Sequence, residues 1–387
     1  MQVKVVVPVW GSRYIETFTK VSLASQLSKN NLPLVSKKNK LEYVIYTLKK
    51  DIQYLENSEI VKNLKEFASV RFEIINKFKV KNTYRIYGQI HHRELKKSSK
   101  KREGVFLINA DFVFSDGFFY QTLKEIKKGK RVVNVICPRA NSESIQNILL
   151  TQFNKSKNVI QVDSKKLSNL YLRNIHKMMK YHLFPKLKDD DYLPSTLMWR
   201  ASNDSLYFRN FHFHPILIYP NLIRIKKIKM TIDDGYVFRI FDKEEMYYQK
   251  NTQNFFVFEL SKESLFYDPI GKYKDYIAMI YYFLGQDKTN FINFNQEVTI
   301  GNISKKERAR LNLESEKEIN RLMLHVLYET STPKRAIRFY SIFLKYRLLS
   351  IYFVQNKAYI PNFVYLFLRK THRLIVRDFF NIKKYFT

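Results

Sequence analysis

The stretch Gly104-Val105-Phe106-Leu107-Ile108-Asn109-Ala110-Asp111 constrains this chain more than any other. Val105 to Ile108 is short, continuous, β-prone and preceded by glycine, which is the pattern of a strand buried on both faces. Such a strand belongs in a sheet covered by helices, and it delivers the residues after it to the carboxyl edge. Those residues are polar. Asn109 and Asp111 lie two positions apart, so in extended geometry they point the same way and a hard divalent cation or a ribose could sit between them. They are also ordinary turn formers, and Ser115-Asp116-Gly117 reads as a turn or N-cap opening a helix from Phe118 to Lys128.

The preceding sequence supplies the rest of that sheet. Val3 to Val9 reads as a strand that runs through Pro8-Val9-Trp10 into a small-residue turn, and Tyr14 to Leu27 carries apolar residues at helical spacing. Glu42 to Thr47 and Val70 to Ile75 read as further strands, with helices over Ser58 to Ala68 and Tyr84 to Lys97. Strands separated by helices imply right-handed crossovers and a mostly parallel α/β sheet of Rossmann type flanked by helices. The ligand site of such a sheet lies outside the carboxyl ends of its strands, where Pro8-Val9-Trp10 and Asn109-Ala110-Asp111 are both placed. No Gly-x-Gly-x-x-Gly fingerprint and no Gly-Lys-Ser/Thr phosphate loop is present, which argues against a dinucleotide-binding or P-loop protein.

Lys and Arg outnumber Asp and Glu by 68 to 35, a formal charge of +33, so anionic partners are favoured: lipid headgroups, nucleotide phosphates or nucleic acid. No RNA-binding signature or zinc finger supports nucleic acid. Cys137 is the only cysteine, which excludes an internal disulfide framework and fits a reducing compartment. Met1 runs into a strand-like segment with no long apolar stretch, so a cytoplasmic location is expected.

The middle of the chain holds a second group of chemistry-bearing residues. Ser142 to Lys155 and Leu170 to His182 read as helices, and three of the eight histidines, His182, His212 and His214, come close together. His212 and His214 share a face of a strand-like run, where they can coordinate a cation or simply hydrogen-bond inside the fold. Pro215 weakens the case for a continuing central strand. Asp233-Asp234-Gly235 places adjacent carboxylates either in a pocket or in a hairpin turn. Asp189-Asp190-Asp191 reads as a solvated loop. After Ser304 the character changes: Lys305 to Leu327 has helical periodicity, and beyond Pro333 Lys and Arg interleave with Phe, Tyr and Leu in basic amphipathic helices suited to an anionic membrane surface. No apolar stretch reaches transmembrane length. The expected organisation is a nucleotide-binding α/β half over 1–140, the other half of the same domain over 141–300, and a helical tail over 301–387.

Val5-Val6-Val7-Pro8-Val9-Trp10-Gly11 and the helix after it resemble the opening strand and turn of nucleotide-sugar-dependent glycosyltransferases of the GT-A type. Phe106 to Asp111, followed by Ser115-Asp116-Gly117-Phe118 and Leu123, resembles the segment of those enzymes that holds the Asp-x-Asp motif. The resemblance covers about the first third of the chain and is nearest the family 2 enzymes of bacterial capsule and surface polysaccharide. It implies a GT-A-like fold, a nucleotide-diphosphate sugar as donor, a carbohydrate or lipid-linked acceptor, and work at the inner face of the cell membrane. It further implies donor contacts at Pro8, Val9, Trp10, Asn109, Ala110 and Asp111, and a divalent cation, Mn²⁺ or Mg²⁺, near Asp111. Asn109 stands where the family has the first aspartate, which removes a negative charge from the cation site. His212 and His214 are further candidate metal ligands, and Asp234, Asp233 and His214 are candidate catalytic groups, one carboxylate being needed to deprotonate the acceptor hydroxyl. Two rival readings are a non-catalytic module for anionic glycan or nucleic acid and a metal-dependent hydrolase centred on His212 and His214.

Overall fold

The computed structural model describes residues 1–329 apart from 76–81, 156–157, 181, 185–195, 211–212, 221–224, 229–230, 234, 266–292 and 294–295. His212, Asp234, the Asp189 to Asp191 run and the basic segments beyond Pro333 therefore lie outside the described residues.

The first strands are β1 (Gln2–Pro8), β2 (Lys40–Thr47), β3 (Ser69–Ile74), β4 (Gly104–Leu107) and β5 (Phe112–Phe114). Next come β6 (Val132–Val135), β7 (Arg139–Asn141), β8 (Asn154–Lys155), β9 (Val159–Ile160) and β10 (Leu183–Phe184). The chain continues through β11 (Thr196–Ser202), β12 (Ser205–Asn210), β13 (His214–Ile218), β14 (Met246–Tyr248), β15 (Val257–Ser261) and β16 (Glu297–Gly301). A seven-stranded sheet in the order β14-β6-β13-β4-β1-β2-β3 forms the centre. Its strands run parallel except β13, which pairs antiparallel with both β4 and β6. The chain is thus a mixed α/β protein with a mostly parallel, Rossmann-like sheet covered by helices.

The apolar runs explain the interior strands. Val5, Val6 and Val7 of β1 and Val105, Phe106 and Leu107 of β4 are fully buried, as a strand with helices on both faces requires. Ser12–Thr17, a π-turn over Phe18–Ser22, and Leu23–Gln26 form one helical segment after β1. Gly11 turns the chain between strand and helix at φ +82°, a conformation that costs a glycine little. Helix Thr83–Lys101 starts at Asn82, whose side chain accepts a hydrogen bond from the Arg85 backbone N–H, and it packs against β1 and β4.

Pro215 lies inside the central sheet, contrary to the expectation drawn from its missing N–H. The pairing of β13 with β6 shifts register between Pro215 and Leu217, so the proline falls at a bulge, where a ladder donor is not required. The helix expected from Leu170 to His182 is also divided, into Ser164–Arg173 and Lys177–Lys180. The intervening Asn174 and Ile175 are drawn to β7: the Asn141 N–H donates to the Asn174 carbonyl, and Ile175 bridges Ala140. Helix Ser142–Gln152 ends three residues before its expected limit because Asn154–Lys155 pairs with Val159–Ile160 instead.

A four-stranded sheet, β10-β11-β12-β16, lies beside the centre and carries the buried Trp199, whose ring stacks on Phe184 at 4.9 Å. Helix Lys305–Glu329 packs on β11 and β12, with Arg209 reaching Glu316 at 3.1 Å. Gly301 closes this sheet at φ +78°, and a Cβ there would overlap the Asp204 carbonyl oxygen. Gly301→Ala is therefore expected to destabilise the protein by about 1–3 kcal/mol, read as a lowered urea midpoint with unchanged m-value.

Candidate functional site

A cleft of about 510 Å³ opens at the carboxyl edge of the central sheet. Pro8, Val9 and Trp10 leave β1 to form one side, and Asn109 and Asp111 leave β4 to form its floor. His214, at the start of the antiparallel β13, and Asp233 close the far end. The candidates from the two halves of the chain thus surround one space. Ala110 is placed differently: its methyl group is buried beside the cleft and does not line it.

Residues that sequence reasoning missed complete the walls. β15 pairs with β5 and with β7, which sets Glu259 opposite Phe112 on one side and Arg139 on the other. The Leu260 N–H donates to the Asp111 carbonyl at 2.9 Å, and Arg139 meets the Glu259 carboxylate at 3.4 Å. Glu259 thereby supplies a second carboxylate beside Asp111, although the two lie 148 positions apart in sequence (259 minus 111). Its one trace in the sequence is a lone charge inside Phe255-Phe256-Val257-Phe258-Glu259-Leu260. The opposite wall is one face of helix Thr83–Lys101, where Thr83, Tyr84, Tyr87 and His91 recur at helical spacing. Trp10 packs on Tyr87 at 5.5 Å, and Tyr87 meets the edge of His91 at 5.9 Å.

Electrostatics distinguish these groups. Burial, and secondarily the facing Glu259, raise the Asp111 carboxyl to about 8, while Arg139 and Arg13 act in the opposite sense. Two carboxylates held together out of bulk water cannot both ionise cheaply unless a cation comes between them. The His214 ring is oriented by its Nε2, which donates to the Leu107 carbonyl at 2.7 Å, and by edge contact with Phe112. That bond leaves Nδ1 with the lone pair. Nδ1 is thus the one ring nitrogen that His214 can offer a ligand.

A second chamber of about 290 Å³ adjoins the cleft. Asn109, Arg139, His214, Asp233 and Glu259 border both spaces, and Phe112, Ile136, Met178, Met179 and Phe208 give the second its apolar walls. Among the described residues no three His, Cys, Asp or Glu side chains gather to hold a metal unaided. A Mg²⁺ or Mn²⁺ here would have Asp111 and Glu259 as its protein ligands and would take the rest from water and substrate phosphate, the usual manner of binding for such ions.

No family model matches the sequence, and no curated protein matches it. Solved structures do match. One is the crystal structure of mouse xyloside xylosyltransferase 1 in its apo form, 9% identical with a TM-score of 0.25, covering 35% of this chain and 53% of that one. Another is a Bacillus anthracis protein described as a glucose-1-phosphate thymidylyltransferase, solved with sucrose, 14% identical with a TM-score of 0.22, covering 36% of this chain and 55% of that one. This chain spans about half the length of each. Both neighbours are transferases by name, and at these scores the functional reading rests on the cleft itself.

Proposed function

We propose that the protein transfers a sugar from a nucleotide-diphosphate donor to a hydroxyl of a carbohydrate or lipid-linked acceptor. The observation that carries this reading is the convergence of the β1 and β4 turns, with Trp10, Asn109 and Asp111, on a cleft whose polar boundary opens into a second chamber. The nucleotide lies along Pro8, Val9 and Trp10, Asn109 hydrogen-bonds the ribose, and the diphosphate approaches Asp111. A divalent cation held by Asp111 and Glu259 would offset the charge that gathers on the leaving diphosphate. Arg13 and Arg139 add fixed positive charge to the same region.

The acceptor enters the second chamber and brings its hydroxyl to the boundary. In a single displacement the acceptor oxygen forms a bond to the anomeric carbon as the bond from that carbon to the phosphate oxygen breaks. The proton goes to a base at the boundary, for which Asp233 is the candidate and His214 Nδ1 the neighbouring acceptor. Asp234, the other candidate, lies outside the described residues. The hydrolase reading is less well supported, since His214 Nε2 is held by a backbone carbonyl.

The basic composition favours an anionic surface, and the resemblance of the first third of the chain adds the reading that the protein works at the inner face of a bacterial membrane in surface-polysaccharide assembly. Among the described residues no helix is long and apolar enough to cross a membrane. The test is a thermal-shift panel of UDP, GDP, dTDP and their sugars, with and without MnCl₂. A ligand at 100 times its Kd stabilises the folded state by about 2.7 kcal/mol, so a cognate nucleotide raises Tm by several degrees and manganese enlarges the rise. No shift with any nucleotide overturns the reading.

A further inference from the structure

His91 has no part in the transfer scheme, yet its setting is unusual. Its side chain is only 2% exposed, it lines the cleft, and neither Nδ1 nor Nε2 has a hydrogen-bond partner among the described residues. Neutral imidazole carries one donor and one acceptor, and burying both without partners costs folding energy. Packing alone does not account for that expense, because a phenylalanine would fill the space with no polar atoms to desolvate. An unsatisfied buried group bordering a cavity is accounted for if the partner arrives from solution.

The neighbours identify the kind of partner. His91 rests on the edge of Tyr87, which in turn packs on Trp10, so the wall presents rings and not cations. His214 and Asp233 line the same cleft and lie near enough to act on the His91 ring through their charge. Burial, with the nearby His214 as a lesser influence, holds the imidazole far below its ordinary range, to about 3, so it does not become the cation that would suit a phosphate. A hydroxyl both donates and accepts hydrogen bonds without charge, and a sugar carries several. Rings beside neutral polar groups are also the surface that the apolar face of a sugar prefers.

We propose that His91 binds a hydroxyl of the sugar carried by the nucleotide donor and so helps to select that sugar and hold it against the Asp233 and His214 end of the cleft. This rests on the reading of the cleft as a donor site. His91 is a substrate-binding residue, with Tyr87 setting the orientation of its ring.

The experiment compares wild type with His91→Phe by titration calorimetry, using UDP, GDP and dTDP alone and the corresponding glucose, galactose and N-acetylglucosamine or mannose conjugates. For the nucleotide that binds wild type, His91→Phe is expected to weaken its cognate sugar conjugate about tenfold, the loss of one well-formed hydrogen bond, while leaving the free nucleotide within about twofold. The unliganded variant is expected to melt at or above the wild-type temperature, because the two unsatisfied nitrogens are gone. A histidine with a purely structural role would do the reverse, lowering Tm and leaving the conjugate-to-nucleotide affinity ratio unchanged. An unchanged ratio overturns the assignment, as does equal weakening of nucleotide and conjugate. If wild type binds no nucleotide, the donor-cleft reading fails and this inference fails with it. Nucleotide binding with an unaltered ratio removes the His91 role alone.

Discussion

Asp111→Asn is expected to remove nucleotide binding while making the unliganded protein more stable. Both effects come from one feature, the placing of a half-buried carboxyl beside Glu259, which raises its pKa to about 8. A carboxyl that binds its proton more tightly folded than unfolded contributes stability that is complete below the unfolded value near 3.8 and lost as pH rises through the folded value. Wild-type Tm should therefore carry a declining component between about pH 4 and pH 8 that Asp111→Asn lacks. The measurement is the Tm difference between variant and wild type across that range. It should favour the variant increasingly toward pH 8, and MnCl₂ should narrow it there by stabilising only the wild type. The amide brings a neutral oxygen without the carboxylate's negative charge and holds a divalent cation more weakly, so transfer activity should fall by about two orders of magnitude, as when one strong charge-stabilising contact is lost. A variant as active as wild type, with a parallel pH profile, would remove Asp111 from the proposed site.

How far the sequence reveals this molecule depends on the distance over which each feature is encoded. Strands β1, β2, β3 and β4 and the helices between them are visible as local patterns of apolar residues, and the turns after β1 and β4 follow from the small and polar residues that end each run. The cleft between those turns follows from the parallel order of the strands. The antiparallel β13 is concealed, because Pro215 signals a break and only the register of β6 shows that the proline occupies a bulge. Glu259 is concealed for a different reason: nothing near it in sequence marks it as a partner of Asp111, and the pairing arises when β15 lies between β5 and β7. Tyr87 and His91 sit on a helix that is legible as a helix. Their role at the cleft depends on which face is turned toward Trp10, and the mixed composition of that helix does not settle it.

The second large effect concerns Lys4, which interrupts the valines of β1 and is only 1% exposed. Its ammonium lies 3.4 Å from Glu42, 3.4 Å from Glu94 and 3.0 Å from Glu103, and it donates to Ser98 at 3.1 Å. Burial opposes its charge, but the Glu103 hydrogen bond and the surrounding carboxylates prevail and hold the pKa above the ordinary lysine value. Glu94 is fully buried, bonded also to Lys97 and to the Tyr46 hydroxyl, and its pKa is held below the usual range despite desolvation. Lys4→Met should thus cost about 3 kcal/mol, since it takes from buried Glu103 its near cation, while Lys97 and Arg71 still face Glu94 and Arg71 still faces Glu42. Lys4→Met combined with Glu94→Gln and Glu103→Gln should recover much of that loss, because the buried charges are then removed together. The raised lysine pKa contributes stability that is present below about 10.5 and disappears only above it, whereas the lowered Glu94 value contributes stability that is lost as pH falls below the ordinary carboxylate range. Acid titration of the single variant should keep most of the Glu94 component seen in wild type, because the Lys97 and Tyr46 hydrogen bonds that lower its pKa remain. The consequence reaches the cleft, because Lys4 lies on the strand that ends at Pro8 and Glu94 on the helix that presents Tyr87 and His91. With the Lys4 contact removed, the helix is held to the sheet by packing and by the polar contacts of β2 and β3, Tyr46 and Arg71 to Glu94 and Glu73 to Arg93. Nucleotide affinity in Lys4→Met should then fall at temperatures well below its Tm, and unchanged affinity there would show that the cluster serves stability only.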